Sequence, residues 1–170
     1  GVLKVWNTSV SNRGVQLNYK LPRHATCVTF QGVDGTIVIA LSATDTIPAS
    51  ILFMNLGKEG DDKDSPWCLS VLETYEDICE SGDIHCMSVS PNGCFLAVGL
   101  DHGSIRIFTL PDNTIYCKFL AHEPEIGPVK GIDFTTDSKH IRTFSASPSS
   151  FDPKCKVEVH IFNIQVVTIN

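Results

Sequence analysis

The run from Met87 to Phe108 constrains the fold of this 170-residue chain more than any other segment. It reads as three short strands joined by two tight turns, Pro91-Asn92-Gly93 and Asp101-His102-Gly103. Glycine tolerates positive φ, and Asn and Asp side chains bond their own backbone, so these tripeptides suit turns. The segments between them are short, apolar and β-branched, as buried strands are. A sheet this small cannot cover both of its faces, and the unit therefore calls for neighbours built like itself.

Such neighbours are visible on both sides. Downstream, Val129–Phe134 and His140–Ser145 flank a turn at Thr136-Asp137-Ser138, and a polar insertion from Pro148 to Lys154 precedes a third strand, Val157–Asn163. Upstream, Ala25–Phe30, Thr36–Leu41 and Ile51–Leu56 repeat the order around Val33-Asp34-Gly35, and Leu3–Asn7 is half a copy. Trp6, Met54, Phe108 and Phe162 occupy one register position near the end of each third strand, 48, 54 and 54 residues apart along the numbering. Compact four-stranded blades repeat every ~40–45 residues, so insertions such as Gly57–Pro66 absorb the excess. A further candidate strand follows each anchor: Val15–Tyr19, Cys68–Leu72, Ile115–Phe119 and Gln165–Ile169. Four strands per unit, repeated, is the pattern of a β-propeller. No segment keeps a helical period; Glu73–Glu80, short and acidic, is the one candidate exception.

The expected fold is all-β: an incomplete propeller of four-stranded antiparallel blades, about three and a half in number. The units run 1–24 (partial), 25–83, 84–121 and 122–170. Three complete units and a half cannot close a ring of typically four to eight blades. An open stack exposes strand edges and apolar faces. Closure then requires more blades from a longer parent chain, the expected case, or from a second chain.

The Ser90-Pro91-Asn92-Gly93 turn, the Leu96–Gly99 strand and the Asp101–Phe108 segment together resemble a WD-repeat blade. In that family the turn Asp and a His in the preceding loop tie strands together through buried polar bonds. The resemblance places Asp101 at the Asp position and Ala121-His122 at the Gly-His position opening the next unit. The family tryptophan survives as Trp6 and is Met54, Phe108 and Phe162 in the other units, and Val98 stands where a strand Ser would complete the polar network. The resemblance therefore implies repeats held by apolar packing more than by that network, with Trp6, Asp101, Phe108, His122 and Phe162 as structural residues. The order of motifs also resembles the C-terminal blades of endoplasmic-reticulum exchange factors of the prolactin-regulatory-element-binding type. That resemblance implies a small GTPase of vesicle-coat assembly as partner, on the cytosolic face of the endoplasmic reticulum. The family's exchange loop and its bound potassium ion belong to a first blade that this sequence does not include, and a membrane anchor would follow Asn170.

Composition narrows the function further. A net charge of −6 and pI near 5.4 argue against a nucleic-acid surface, and no run of 18 apolar residues marks a membrane span. Seven cysteines (Cys27, Cys68, Cys79, Cys86, Cys94, Cys117 and Cys155) show neither metal-ligand nor disulfide spacing and read as buried thiols of a reducing, cytoplasm-like compartment. The histidines are scattered; His102 lies in a turn and His160 in a strand, neither with a ligand at helical or hairpin spacing, so no metal or other cofactor is expected. Glu59–Asp64 lacks the terminal Glu of a calcium loop. Glu123 and Glu125 beside His122 read as a solvated blade connection, Ser147–Ser150 as an exposed loop, and Asn7-Thr8-Ser9 is discounted as a glycosylation acceptor. No phosphate cradle or nucleophile elbow appears, and no converging His and carboxylate set marks a hydrolase, so no catalytic residue is assigned. The expected role is a protein-interaction platform, either within an exchange factor or as a scaffold subunit of a multiprotein complex without exchange activity.

Overall fold

The computed structural model describes residues 1–7, 14–32, 35–60, 67–76, 78, 82–110, 112–146 and 157–164. Thirteen strands are present among them, and no α-helix. β1 (Val2–Asn7) and β2 (Gly14–Lys20) form a first, two-stranded sheet. β3 (Ala25–Gln31), β4 (Thr36–Leu41), β5 (Ser50–Lys58) and β6 (Trp67–Tyr75) form a second. β7 (Ile84–Val89), β8 (Phe95–Leu100), β9 (Ser104–Thr109) and β10 (Thr114–Leu120) form a third. β11 (Val129–Phe134), β12 (His140–Ala146) and β13 (Val157–Asn163) form a fourth. Each sheet is an antiparallel meander in chain order, and the four do not close into a ring. Glu73–Tyr75 end a strand rather than start a helix, since Val71 and Glu73 pair with Met54 and Phe53. The candidate strand Gln165–Ile169, the acidic stretch from Asp61 to Asp64, Ser147–Ser150 and Thr8-Ser9 lie outside the described residues.

The repeat is written in the irregularities of the ladders. An extra residue interrupts the first strand at one place in three sheets: Thr26, His85 and Lys130. A second bulge recurs where the third strand meets the fourth, with Gln16, Leu72 and Tyr116 as the extra residues beside Trp6, Met54 and Phe108. Bulges increase local twist, which suits sheets stacked side by side. Tight turns at one end also match, with Gly93 N–H donating to Ser90 O at 2.8 Å and Ser138 N–H to Thr135 O at 2.8 Å. Gly93 (φ 72°) and Ser138 (φ 59°) take the left-handed conformation those turns require.

Apolar layers fill the spaces between consecutive sheets. Leu3, Val5 and Leu21 meet Ile37, Ile39 and Met54; Val38, Ala40 and Phe53 meet Leu96, Val98 and Phe108; Ala97, Ile105 and Ile107 meet Val129, Ile141 and Phe162. Each anchor thus faces the sheet before its own. Phe108 is 1% exposed and meets Tyr75 edge-on, with ring centroids 5.5 Å apart. Trp6 departs from the expected packing role and is 59% exposed. The cause is positional: it lies on the first sheet, and no described sheet precedes it. At the other end, Val159 and Ile161 hold the register positions of Ile105 and Ile107. The latter are 0% and 1% exposed and the former 68% and 66%, because no described sheet follows the fourth.

Candidate functional site

Titratable side chains concentrate at the end of the sheets where the chain passes from one sheet to the next. Arg23, between β2 and β3, donates to the carbonyls of Ser42 (2.9 Å) and Pro48 (2.7 Å) and bonds the Ser50 hydroxyl. The Ala43 amide donates to Asp83 Oδ1 at 2.7 Å, joining the second sheet to the third. The Asp83 amide in turn donates to Asp101 Oδ2 at 2.8 Å, and His85 Nε2 lies 2.7 Å from Asp101 Oδ1. Burial raises the Asp101 carboxyl, but the Asp83 amide and the His85 ring outweigh it and hold the carboxyl below its ordinary value.

His85 reaches Asp101 because it is the extra residue of the β7 bulge, which re-aims its side chain. The turn that presents Asp101 needs glycine twice. Gly103 (φ 72°) packs so closely on the His122 carbonyl that a Cβ would collide with it, and a Cβ on Gly82 (φ 93°) would strike the Asp101 carboxylate. The Gly103 carbonyl also accepts the Ala121 amide (2.9 Å) and the His122 amide (3.2 Å), carrying the polar chain into the fourth sheet.

A second centre forms there. The His122 side chain is fully buried, with Nε2 2.9 Å from Thr143 Oγ1 and Nδ1 3.3 Å from Glu158 Oε2. Thr143 lies in mid-β12, while Glu158 and His160 project from one face of β13. His160 Nε2 is 3.5 Å from the same Glu158 oxygen. The two imidazoles meet edge to face with centroids 4.9 Å apart, and the His160 ring stacks on Phe162 at 5.9 Å and 10°. Burial pushes the His122 imidazole below its ordinary pKa; the Glu158 hydrogen bond opposes this, and the nearby His160 adds to it. The shift favours the neutral imidazole.

Asp101 and His122 consequently serve separate polar centres joined through the Gly103 backbone. Asp101 pairs with His85 of its own sheet, and His122 pairs with Thr143 and Glu158 of the fourth. Thr143 holds the register position of Val98, pairing with Ile132 and His160 as Val98 pairs with Met87 and Arg106. The strand hydroxyl missing from the third sheet is thus present in the fourth. His160 has no ligand at helical or hairpin spacing, but Glu158, two residues away, shares its face of β13. That Glu-x-His spacing on a strand was the available signal. His122, 36 residues from Glu158, gave none, because only the fold brings it alongside.

Among the described residues the thiols carry no comparable arrangement. Cys27, Cys68, Cys86, Cys94 and Cys117 are free. Burial raises Cys27 to about 11 and Cys86 to about 12, which keeps both protonated. Against the expectation of burial, Cys94 is exposed beside a tight turn and the other four are half-buried. Cys79 and Cys155 lie outside the described residues.

Two solved structures are similar in architecture. The WD40 repeats of RRP9 superpose with a TM-score of 0.58 at 19% identity, over 85% of this chain and 37% of that one. The U3-55K structure gives 0.59 at 19% identity, over the same shares. The fold is that of the WD40 propellers. No protein-family model and no curated protein matches the sequence. The WD40-fold chain spans about 37% of the length of the structures it resembles.

Proposed function

We propose that this WD40-fold chain is part of a protein-interaction scaffold. The observation that carries the reading is the outer strand of the second sheet, β6, which presents Trp67, Val71 and Leu72 to solvent alongside the stacked sheets. Large apolar side chains grouped on an outer strand mark a contact surface more than scattered ones do, and Trp is enriched among residues that dominate binding energy. Lys58 lies 5.6 Å from the Trp67 ring and gives the patch a charged rim. Among the described residues no helix is long and apolar enough to cross a membrane. Protein partners are the expected ligands, and the free thiols favour a reducing compartment, the cytoplasm or the cytosolic face of the endoplasmic reticulum.

A narrower role in guanine-nucleotide exchange on a vesicle-coat GTPase has only the order of short, unspecific motifs in its favour. A nucleotide-release assay with the full chain tests it. For the scaffold reading, the full chain and a Trp67→Ala/Leu72→Asp variant are affinity-purified in parallel. The expected result is a stoichiometric protein partner with the parent chain, lost from the variant without a change in melting temperature. No stoichiometric partner, or equal capture by both, overturns it.

A further inference from the structure

We propose that His122, Glu158 and His160 form a binding site for a divalent cation of the zinc class. Their ligand atoms all lie within 4.8 Å of one another. Glu158 Oε2 is the common vertex, 3.3 Å from His122 Nδ1 and 3.5 Å from His160 Nε2. Four-coordinate zinc with bonds of about 2.0–2.1 Å separates neighbouring ligands by about 3.3 Å, so two edges of the tetrahedron are already set. The remaining edge closes through a shift of His160, whose side chain is 44% exposed. Two imidazoles with one carboxylate suit zinc and its neighbours; calcium and magnesium select all-oxygen shells.

The surroundings supply what a ligating histidine needs. Thr143 Oγ1 can accept from Nε2–H of His122, which leaves the Nδ1 lone pair directed at Glu158 and the cation. Without the cation the hydroxyl reverses: Thr143 donates to Nε2 and Nδ1–H donates to Glu158. One hydroxyl thus serves both tautomers: on binding, the cation takes the place of the proton at Nδ1, and the ring stays neutral with its single proton at Nε2. Stacking on Phe162 steadies the second imidazole. Bound by these three residues, the cation clasps the segment leading into β11 to β13, across the width of the fourth sheet.

The test is titration of the full chain with Zn²⁺ by calorimetry, with Co²⁺ as a spectroscopic probe. One equivalent binds, the melting temperature rises with Zn²⁺, as for any ligand that binds only the folded state, and Co²⁺ gives the spectrum of a tetrahedral nitrogen and oxygen site. His160→Ala alters an exposed side chain and is expected to fold; Glu158→Gln keeps the side-chain shape if it does not. Each weakens binding by at least about tenfold, since even outer-shell changes cost that much. Absence of saturable binding, affinities equal to the parent chain in both variants, or a thiolate-to-cobalt charge-transfer band each overturns the assignment.

Discussion

The third and fourth sheets solve one structural problem in two ways. Both must tie the chain entering the sheet to strands further out. The third uses Asp101 from a turn and His85 from a bulge, a pair whose side chains are each roughly 30% exposed. The fourth uses a buried imidazole, His122, held between a strand hydroxyl and a strand carboxylate. The first arrangement keeps a charge near water, where its pairing is screened. The second buries polar atoms, so each must keep its partner. Repeats related by backbone register are therefore unequal in how much their polar residues contribute. Apolar packing differs in parallel: Phe108 is enclosed by the second sheet, whereas Phe162 is half-buried against the third.

The largest effect separating the two sheets is expected at these anchors. Phe108→Ala removes a fully buried ring from a close-packed layer and should cost about 3–5 kcal/mol. Phe162→Ala should cost about half of that, because its ring is already partly in water. Urea unfolding of the full chain measures both. Equal losses would mean that the fourth sheet packs as tightly as the third and would remove the apolar half of the contrast.

Next in size is the polar half. His122→Ala leaves Thr143 and Glu158 short of a partner beneath the surface, at about 1–3 kcal/mol. Asp101→Ala should cost less, about 1 kcal/mol, since water reaches the groups it leaves behind. The two side chains share no hydrogen-bond partner, so the double variant should be additive within about 0.5 kcal/mol. A larger coupling energy would show that the Gly103 backbone transmits strain from one centre to the other.

Sequence and structure diverge where contacts cross between strands. The turns at Pro91-Asn92-Gly93 and Asp101-His102-Gly103, the strand order and the Trp6/Met54/Phe108/Phe162 register follow from local chemistry, and all but the surroundings of Trp6 could be read directly. Trp6 shows the limit: its register position is legible, but burial depends on which sheet lies in front of it. His85 was invisible as a partner because a strand residue at ordinary alternation would point elsewhere; one inserted residue turns it towards Asp101. His122, Thr143, Glu158 and His160 come from a connection and two strands, with up to 38 residues between them. Spacing rules for metal or catalytic ligands look within a helix turn or a hairpin and do not reach such a set.

The smallest expected effect tests the electrostatic side of the comparison. The Asp101 carboxyl is held below its ordinary value of 3.8 in the folded chain. At a pH between the folded and unfolded values, the unfolded state binds more protons, so stability rises with pH there. The contribution of Asp101 is thus complete above about pH 5 and is lost as pH falls through 3.8 towards the folded value. Asp101→Asn cannot titrate. Its melting temperature should lie below that of the parent chain near neutrality, and the gap should narrow on acidification. Salt should narrow it too, because the pair with His85 is open to solvent. A gap that stays constant from neutral pH to below 3.8 would show that the Asp83 amide and the turn geometry, rather than the charge, are what Asp101 supplies to the third sheet.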